Sequence, residues 1–236
     1  MTNLFLHWLI KIRSPEFVIL VSIFVVLTVL VSAGLTSGLD SFVNIPITNI
    51  QGNKNVDIFM VALTSLGDLS TLLVVGIVLT IIRRTRRLGL IFLISMVFIA
   101  ISIIYIKPIV GRAEPINKNQ TSLNLPKGFV LENDSVVPFA SGFSYPSNHI
   151  AIATAFAFIF GFGIYQRNKR ASILIWVFPT LMAATKLYLT QHYLADIVGG
   201  FLFGLIISII MSNMLGLDKQ FPVSRIKRKE DKNVQE

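Results

Sequence analysis

Two histidines and an aspartate have the types and spacing for nucleophilic chemistry on an anion. His192 and Asp196 are four residues apart, so on a helix they share one face and the carboxylate can hold one imidazole nitrogen. The other nitrogen is then oriented as a nucleophile, as in catalytic triads. His149 follows Ser147 at the start of an apolar run, where free backbone N–H groups and the helix dipole attract anions.

Three cationic side chains accompany these residues. Lys107 and Arg112 lie at the end of the third apolar run, and Lys186 precedes His192. Their positive charge suits phosphate oxygens, and exclusion of water near the lipid headgroups would strengthen such contacts. The pattern therefore indicates a site for a phosphate group.

The composition predicts a membrane protein. Hydrophobic residues make up 53% of the chain and charged residues 14%, and the mean hydropathy is +0.72. Several apolar stretches approach or exceed the roughly 20 residues that cross a bilayer as a helix. We predict an all-α integral membrane protein with six transmembrane helices and a long outer loop, 108–148, between the third and the fourth. The predicted spans are 17–36, 57–82, 88–107, 149–165, 171–190 and 193–215.

The charge distribution predicts the orientation. Spans four and five form a hairpin with a basic turn at 167–170, so His149 and His192 return to the same membrane face although they are 43 residues apart. With a cytoplasmic N-terminus, 15 of the 21 Lys and Arg residues lie inside. The positive-inside rule then places both termini in the cytoplasm and the site on the outer face. This clustering accounts for the net charge of +9 without a nucleic-acid partner.

The chain divides into three predicted parts. These are an N-terminal cytoplasmic or interfacial segment, 1–16; a membrane domain, 17–217; and a basic cytoplasmic tail, 218–236. The apolar stretch from Phe17, about 17 residues, is longer than the apolar region of a signal peptide, which favours an uncleaved helix. Cysteine is absent from the sequence, which excludes disulfides, thiolate metal sites and a cysteine nucleophile.

Two features inside the spans have structural interpretations. Asp68 lies in the middle of span two, and an acid at membrane depth is by default a functional candidate, although a structural hydrogen bond to another helix is the favoured interpretation. Gly200 and Gly204 form a small-xxx-small pair, which is typical of closely packed helices.

The polar clusters together resemble the motifs of the type 2 phosphatidic acid phosphatases. That family carries KxxxxxxRP, PSGH and SRxxxxxHxxxD on a six-helix membrane core. The order, the spacing and the outward placement match over the region from span two to span six. Here the motifs read Lys107…Glu114-Pro115, Pro146-Ser147-Asn148-His149 and Thr185-Lys186…His192…Asp196.

The resemblance implies a phosphatase that needs no metal or other cofactor and acts on a lipid phosphate or a polyprenyl (di)phosphate. His192 would attack phosphorus to form a phosphohistidine, with Asp196 orienting the ring. His149 would protonate the leaving oxygen and then help to activate water. The predicted phosphate-binding residues are Lys107, Arg112, Ser147, Asn148 and Lys186.

The chain departs from the family pattern at four positions. Glu114 stands where the first motif has arginine, so Arg112 is the candidate replacement; Asn148 replaces glycine, and Thr185-Lys186 replaces Ser-Arg. Weaker or altered phosphate binding is the expected consequence. The alternatives to hydrolysis are a phosphotransferase that uses the same phosphohistidine, a degenerate protein that only binds phospholipid, and a small transporter.

Overall fold

Nine α-helices run through residues 8–115, 123–125 and 137–218, which are the parts of the chain that the computed structural model describes. No strand occurs in these ranges, and their one isolated bridge pairs Ala113 with Phe143 in antiparallel fashion. The predicted all-α class is confirmed. The helices are α1 Pro15–Ser32, α2 Ser37–Thr48, α3 Lys54–Thr64, α4 Leu69–Ile81, α5 Arg86–Val110, α6 Asn148–Tyr165, α7 Ala171–Leu174, α8 Val177–Tyr188 and α9 Leu194–Met214.

Within the described residues, five helical segments are long and apolar enough to cross a membrane, and a sixth span results if one bent pair of helices is counted together. The five are α1, α5, α6, the pair α7–α8 (Ala171–Tyr188) and α9. The bent pair consists of α3 with its following turn (Lys54–Gly67) and α4. The segments correspond one for one to the six predicted spans.

Span two departs from the prediction because it is broken rather than continuous. A 3₁₀ turn at Ser65–Gly67 and an extended Asp68 (φ −63°, ψ 147°) separate α3 from α4, and the two axes differ by 46°. The hydroxyl of Thr71 donates to the carbonyl of Ser65 at 2.8 Å, which satisfies one of the backbone groups that the break releases.

The first span is shorter than predicted, and a helix follows it that the sequence analysis did not foresee. Helix α1 begins at the expected cap, where the hydroxyl of Ser14 accepts the N–H of Phe17 at 3.3 Å, but it ends at Ser32 instead of residue 36. The chain turns at Gly34 (φ +72°) and continues as α2. This turn brings α2 into contact with α8 and α9.

The centre of the fold is the contact between α6 and α9. A Cβ atom on Gly200 would lie 2.5 Å from the carbonyl oxygen of Ser147, and one on Gly204 would lie 2.3 Å from that of Ala151. The helices therefore approach each other as closely as backbones allow, and the glycine pair packs helices as predicted. Apolar side chains from α5 complete the core around this contact; they include Phe92, Ile99 and Ile103.

The described part of the N-terminal segment is anchored to the C-terminal half of α6. The indole N–H of Trp8 donates to the carbonyl of Phe158 at 2.8 Å, and its ring packs against Tyr165 and Trp176. Residues 1–7, 116–122, 126–136 and 219–236 lie outside the described ranges. Less than half of the predicted outer loop, 108–148, and nearly all of the predicted basic tail, 218–236, fall there.

Candidate active site

A short paired segment joins the first motif to the second. Helix α5 ends at Gly111 (φ +68°), and the next residues run antiparallel to the segment that precedes α6. The N–H of Ser144 donates to the carbonyl of Arg112 at 2.9 Å, and the N–H of Glu114 donates to the carbonyl of Gly142 at 3.0 Å. These bonds fix the end of α5 beside the start of α6, although about 30 residues separate the two segments.

The second and third motifs meet through the backbone. The N–H of Ser147 donates to the carbonyl oxygen of Asp196 at 3.1 Å, and Gly200 leaves room for this approach one turn further along α9. The first motif reaches the same place, since Arg112 donates from Nη1 to Oδ1 of Asp196 at 2.9 Å. All three predicted clusters therefore converge on the first turn of α9.

His192 and Asp196 lie side by side as predicted, but they do not share a helix face. Helix α9 begins at Leu194 with Tyr193 as its N-cap, so His192 lies in the turn before the helix. Nδ1 of His192 lies 3.6 Å from Oδ2 of Asp196, and both side chains have no exposed surface. The distance is longer than a hydrogen bond, as is common for catalytic pairs in the absence of substrate. Both carboxylate oxygens are anchored, because Oδ1 accepts from Arg112 and Oδ2 accepts the N–H of Tyr193 at 2.8 Å. Asp196 is thus held rigidly beside the imidazole.

The second histidine also lies beside a carboxylate. Nε2 of His149 is 3.4 Å from Oδ1 of Asp68, and the exposed fractions of the two side chains are 4% and 16%. The sequence analysis favoured a structural hydrogen bond for Asp68, whereas the structure brings its side chain to a predicted catalytic residue. The break in span two causes this contact, because Asp68 sits at the start of α4, level with the first turn of α6.

Two lysines are buried at the site. The side chains of Lys107, in the last turn of α5, and Lys186, in the last turn of α8, are 0% and 1% exposed. Nζ of Lys186 donates to Oε1 of Gln191 at 2.9 Å, so Gln191 positions the ammonium next to the His192 turn. Burying two ammonium groups is unfavourable unless anions or other acceptors stabilise them, so this arrangement suits an anionic ligand.

The N-terminus of α6 is the third anion-attracting element. Ser147 is the N-cap residue in an extended conformation (φ −69°, ψ 121°), and its side chain does not cap the helix. Its hydroxyl is buried and has no hydrogen-bond partner among the described residues. Asn148 begins the helix and is 7% exposed. The hydroxyl and the first backbone N–H groups of α6 are therefore suited to a phosphate oxygen.

Arg112 is engaged by two carboxylates. Besides Asp196, it forms a salt bridge from Nη2 to Oδ2 of Asp40, and its guanidinium lies 4.2 Å from the centroid of the Tyr193 ring. Asp40 is 1% exposed, and its other oxygen accepts the N–H of Ala195 at 3.0 Å. These contacts favour a role in holding the start of α9. Direct phosphate binding by Arg112 stays a prediction.

Among the described residues, sequence reasoning missed two buried acids, Asp40 and Asp57. Asp40 belongs to α2, which was not predicted, and the acid had no recognisable motif. Asp57 is 0% exposed and accepts the hydroxyl of Tyr188 at 2.6 Å and the N–H of Asn124 at 2.7 Å. Asp57 thereby ties part of the outer loop to the end of α8. Its position near the start of a predicted span was the only available signal.

The described residues contain no group of three or more His, Cys, Asp or Glu side chains arranged to hold a metal ion. The predicted metal-independent chemistry is not tested by this finding and stays a prediction.

Comparison with known proteins assigns the family. The family model described as the PAP2 superfamily matches residues 70–219, which is more than half of the chain. This protein belongs to the PAP2 superfamily. The predicted family and the predicted phosphoric monoester hydrolase class are confirmed. The match includes all eight predicted site residues and excludes Asp40, Asp57 and Asp68.

The fold of this PAP2 protein resembles a solved structure. That structure is described as "Crystal structure of the first transmembrane PAP2 type phosphatidylglycerolphosphate phosphatase from Bacillus subtilis". The TM-score is 0.70 at 20% sequence identity, and the similarity covers 88% of this chain and 100% of that chain. At this identity the similarity establishes the fold. No curated protein sequence matches the chain.

Proposed function

We propose that this PAP2 protein hydrolyses a lipid phosphate or a polyprenyl (di)phosphate through a phosphohistidine on His192. The observation that carries the proposal is the buried pair in which Nδ1 of His192 lies 3.6 Å from Oδ2 of Asp196. A carboxylate beside one ring nitrogen orients the imidazole and stabilises the charge that it gains when the other nitrogen attacks. Nε2 is therefore the proposed nucleophile.

The reaction has two steps. In the first, Nε2 of His192 bonds to phosphorus, the bond from phosphorus to the leaving oxygen breaks, and His149 gives a proton to that oxygen. In the second, His149 takes a proton from water as the water oxygen attacks phosphorus. The phosphorus–nitrogen bond breaks, and phosphate leaves. Each step thus restores the protonation state that the next one needs.

Four groups are proposed to hold the phosphoryl oxygens. They are the ammonium groups of Lys107 and Lys186, the hydroxyl of Ser147 and the backbone N–H of Asn148. Their support is the burial of both lysines and the partnerless hydroxyl at the N-terminus of α6. In a buried site such donors stabilise negative charge more strongly than in water, because the surrounding dielectric is low.

Arg112 is proposed to act through Asp196. Its two terminal nitrogens face Asp196 and Asp40, so its charge balances the carboxylate that orients His192. The replacement of the arginine of the first motif by Glu114 then leaves the phosphate with fewer cations than the family pattern has. Weaker binding of phosphate is the expected consequence.

The active site is proposed to open to the outer face, with both termini in the cytoplasm. The first support is the excess of Lys and Arg in the predicted inner segments. The second is that the three motifs lie at the helix ends that point away from these basic segments. Accessibility of single cysteines is a direct test, because the chain has no cysteine of its own. A cysteine at position 168 should react with a membrane-impermeant reagent only after the membrane is opened.

Phosphate release by the purified protein tests the proposed chemistry. The substrates are a panel of lipid phosphates and isoprenyl diphosphates in mixed micelles, with EDTA present throughout. We expect release by the wild type and none above background by His192→Ala. Quenching with alkaline detergent during turnover of a ³²P-labelled substrate should trap a label on the wild-type protein that is stable to base and is lost on treatment with acid. Wild-type activity in His192→Ala, or an absolute requirement for added Mg²⁺, would refute the mechanism.

The same experiment separates hydrolysis from phosphotransfer. With a lipid alcohol present as acceptor, a hydrolase releases inorganic phosphate at an unchanged rate. A phosphotransferase instead gives a phosphorylated acceptor at the expense of inorganic phosphate. A degenerate lipid-binding protein would retain labelled lipid but release no phosphate and form no phosphohistidine.

A further inference from the structure

Asp68 occupies the break in span two, and its carboxylate is not used to cap a helix. It is the N-cap residue of α4, a position where aspartate ordinarily accepts a backbone N–H of the first turn, yet its side chain makes no such bond. Its exposed fraction is 16%, so the charge is held in a largely buried position that is unfavourable without a cationic partner. The local helix structure therefore does not account for an acid at position 68.

The contact with His149 does account for it. Oδ1 of Asp68 lies 3.4 Å from Nε2 of the imidazole, which is ion-pair distance. The bend of 46° between α3 and α4 places Asp68 at the level of the first turn of α6. Gly67 allows this arrangement, because a Cβ atom there would lie 2.4 Å from the sulfur of Met182 on α8.

We propose that Asp68 is a positioning residue for His149 in the proton transfer to the leaving group. This inference rests on the proposed function. Asp68 also lies outside residues 70–219, the part of the chain that the family model matches. Each of the two histidines then has its own carboxylate. Asp196 serves the histidine that attacks phosphorus, and Asp68 serves the histidine that handles the proton.

The chemistry of the first step explains why His149 needs a carboxylate. When the bond from phosphorus to the leaving oxygen breaks, the electron pair goes to that oxygen, and the proton that neutralises it comes from the imidazolium. A carboxylate beside the ring holds its orientation and balances the positive charge of the donor before transfer. An alkoxide is a poor leaving group and needs this proton, whereas p-nitrophenolate leaves without it.

Leaving-group dependence is therefore the test. We compare the wild type with Asp68→Asn on a medium-chain alkyl phosphate and on p-nitrophenyl phosphate, in the same detergent. With the alkyl phosphate, kcat should fall by about 10- to 100-fold, because the contribution of general acid catalysis is largely lost. With p-nitrophenyl phosphate, the rate of phosphohistidine formation should change by less than about threefold. This rate is measured as the release of p-nitrophenol in the first turnover. Equal losses on both substrates would overturn the proposal.

Asp57→Asn is the matched control. Asp57 is also a buried acid of span two and lies in α3. Its partners, however, are the hydroxyl of Tyr188 and the backbone N–H groups of Asn124 and Gly52. Its substitution should lower thermal stability and affect the two substrates equally. A preference for the activated substrate in Asp57→Asn would show that general disturbance of this span produces the signature, which would also overturn the proposal.

Asp68→Glu provides a second variant in case the asparagine variant does not fold. It keeps the charge and moves it by one methylene, so we expect its activity on the alkyl phosphate to lie between those of the wild type and Asp68→Asn. Loss of the same size on both substrates would contradict the inference.

His192→Ala distinguishes a failure of the proposed function from a failure of the inference about Asp68. Full activity in that variant refutes the proposed function and this inference with it, whereas equal losses in the Asp68 variants refute the inference alone.

Discussion

Gly200→Ala places one methyl group at the contact that assembles the active site. The added Cβ would lie 2.5 Å from the carbonyl oxygen of Ser147, whereas ordinary contact begins at 3.4 Å. Helix α9 must therefore move away from α6 by about 0.9 Å, and overpacking of this kind typically costs about 1–3 kcal/mol. The same shift moves His192 and Asp196 relative to His149.

Both a stability loss and a catalytic loss follow from this displacement. A misplacement of about 1 Å between reacting groups can reduce the rate roughly 100-fold. We expect Gly200→Ala to lower the unfolding temperature in detergent and to lower kcat by about that factor, with phosphate release as the assay. In Gly204→Ala the added Cβ would lie 2.3 Å from the carbonyl oxygen of Ala151, one turn farther from the site. This variant should therefore lose a similar amount of stability but less activity.

Gly38→Ala is the control for the methyl group itself. This glycine lies inside α2, and a Cβ atom there would have no other atom within 4 Å. The variant should keep wild-type activity and gain slightly in stability, because alanine favours a helix by about 1 kcal/mol over glycine. Unchanged stability and kcat in Gly200→Ala would refute the view that the closeness of α6 and α9 sets the active-site geometry.

Three further substitutions test individual contacts. Arg112→Lys should lower kcat about tenfold with little change in KM, because one ammonium cannot make the forked contacts to two carboxylates; a rise in KM alone would indicate direct phosphate binding. Glu114→Arg should tighten competitive inhibition by inorganic phosphate, whereas a fall in kcat would mean that the glutamate has its own role. Tyr188→Phe removes the 2.6 Å hydrogen bond to buried Asp57 and should reduce the free energy of unfolding by about 1–3 kcal/mol. Thermal denaturation measures this loss, and kcat at low temperature should stay unchanged.

The site and most of the helices could be predicted because their signals are local in the sequence. Apolar runs of sufficient length identify helices that cross a bilayer, since every backbone polar group must be satisfied within the segment. The i,i+4 spacing of His192 and Asp196 correctly predicts that the two side chains are close, although His192 lies in the turn before α9 and not on the helix itself. The glycine pair on α9 was likewise readable, because only glycine lets two helix backbones meet.

The break in span two escaped prediction although the sequence carries a signal for it. Residues 64–71 (TSLGDLST) are mostly polar or glycine, but they are flanked by apolar runs long enough together for one continuous span, and no proline marks a boundary. Met182 packs against Gly67 at the bend, and it lies more than 110 residues away in the sequence. Helix α2 escaped for a related reason, since it is stabilised at the surface by contacts with α8 and α9 and by the salt bridge of Asp40.

The sequence by itself therefore determined that the chain is a helical membrane phosphatase, and it predicted the histidines and lysines of the candidate site. Only the tertiary structure decided which carboxylate lies beside each residue. Asp196 is four residues from His192, so their short separation in the sequence reveals that pair. Asp68 meets His149, and Asp40 meets Arg112, across about 70 to 80 residues of chain. Such pairs depend on how whole helices pack, and no local pattern in the sequence records that packing.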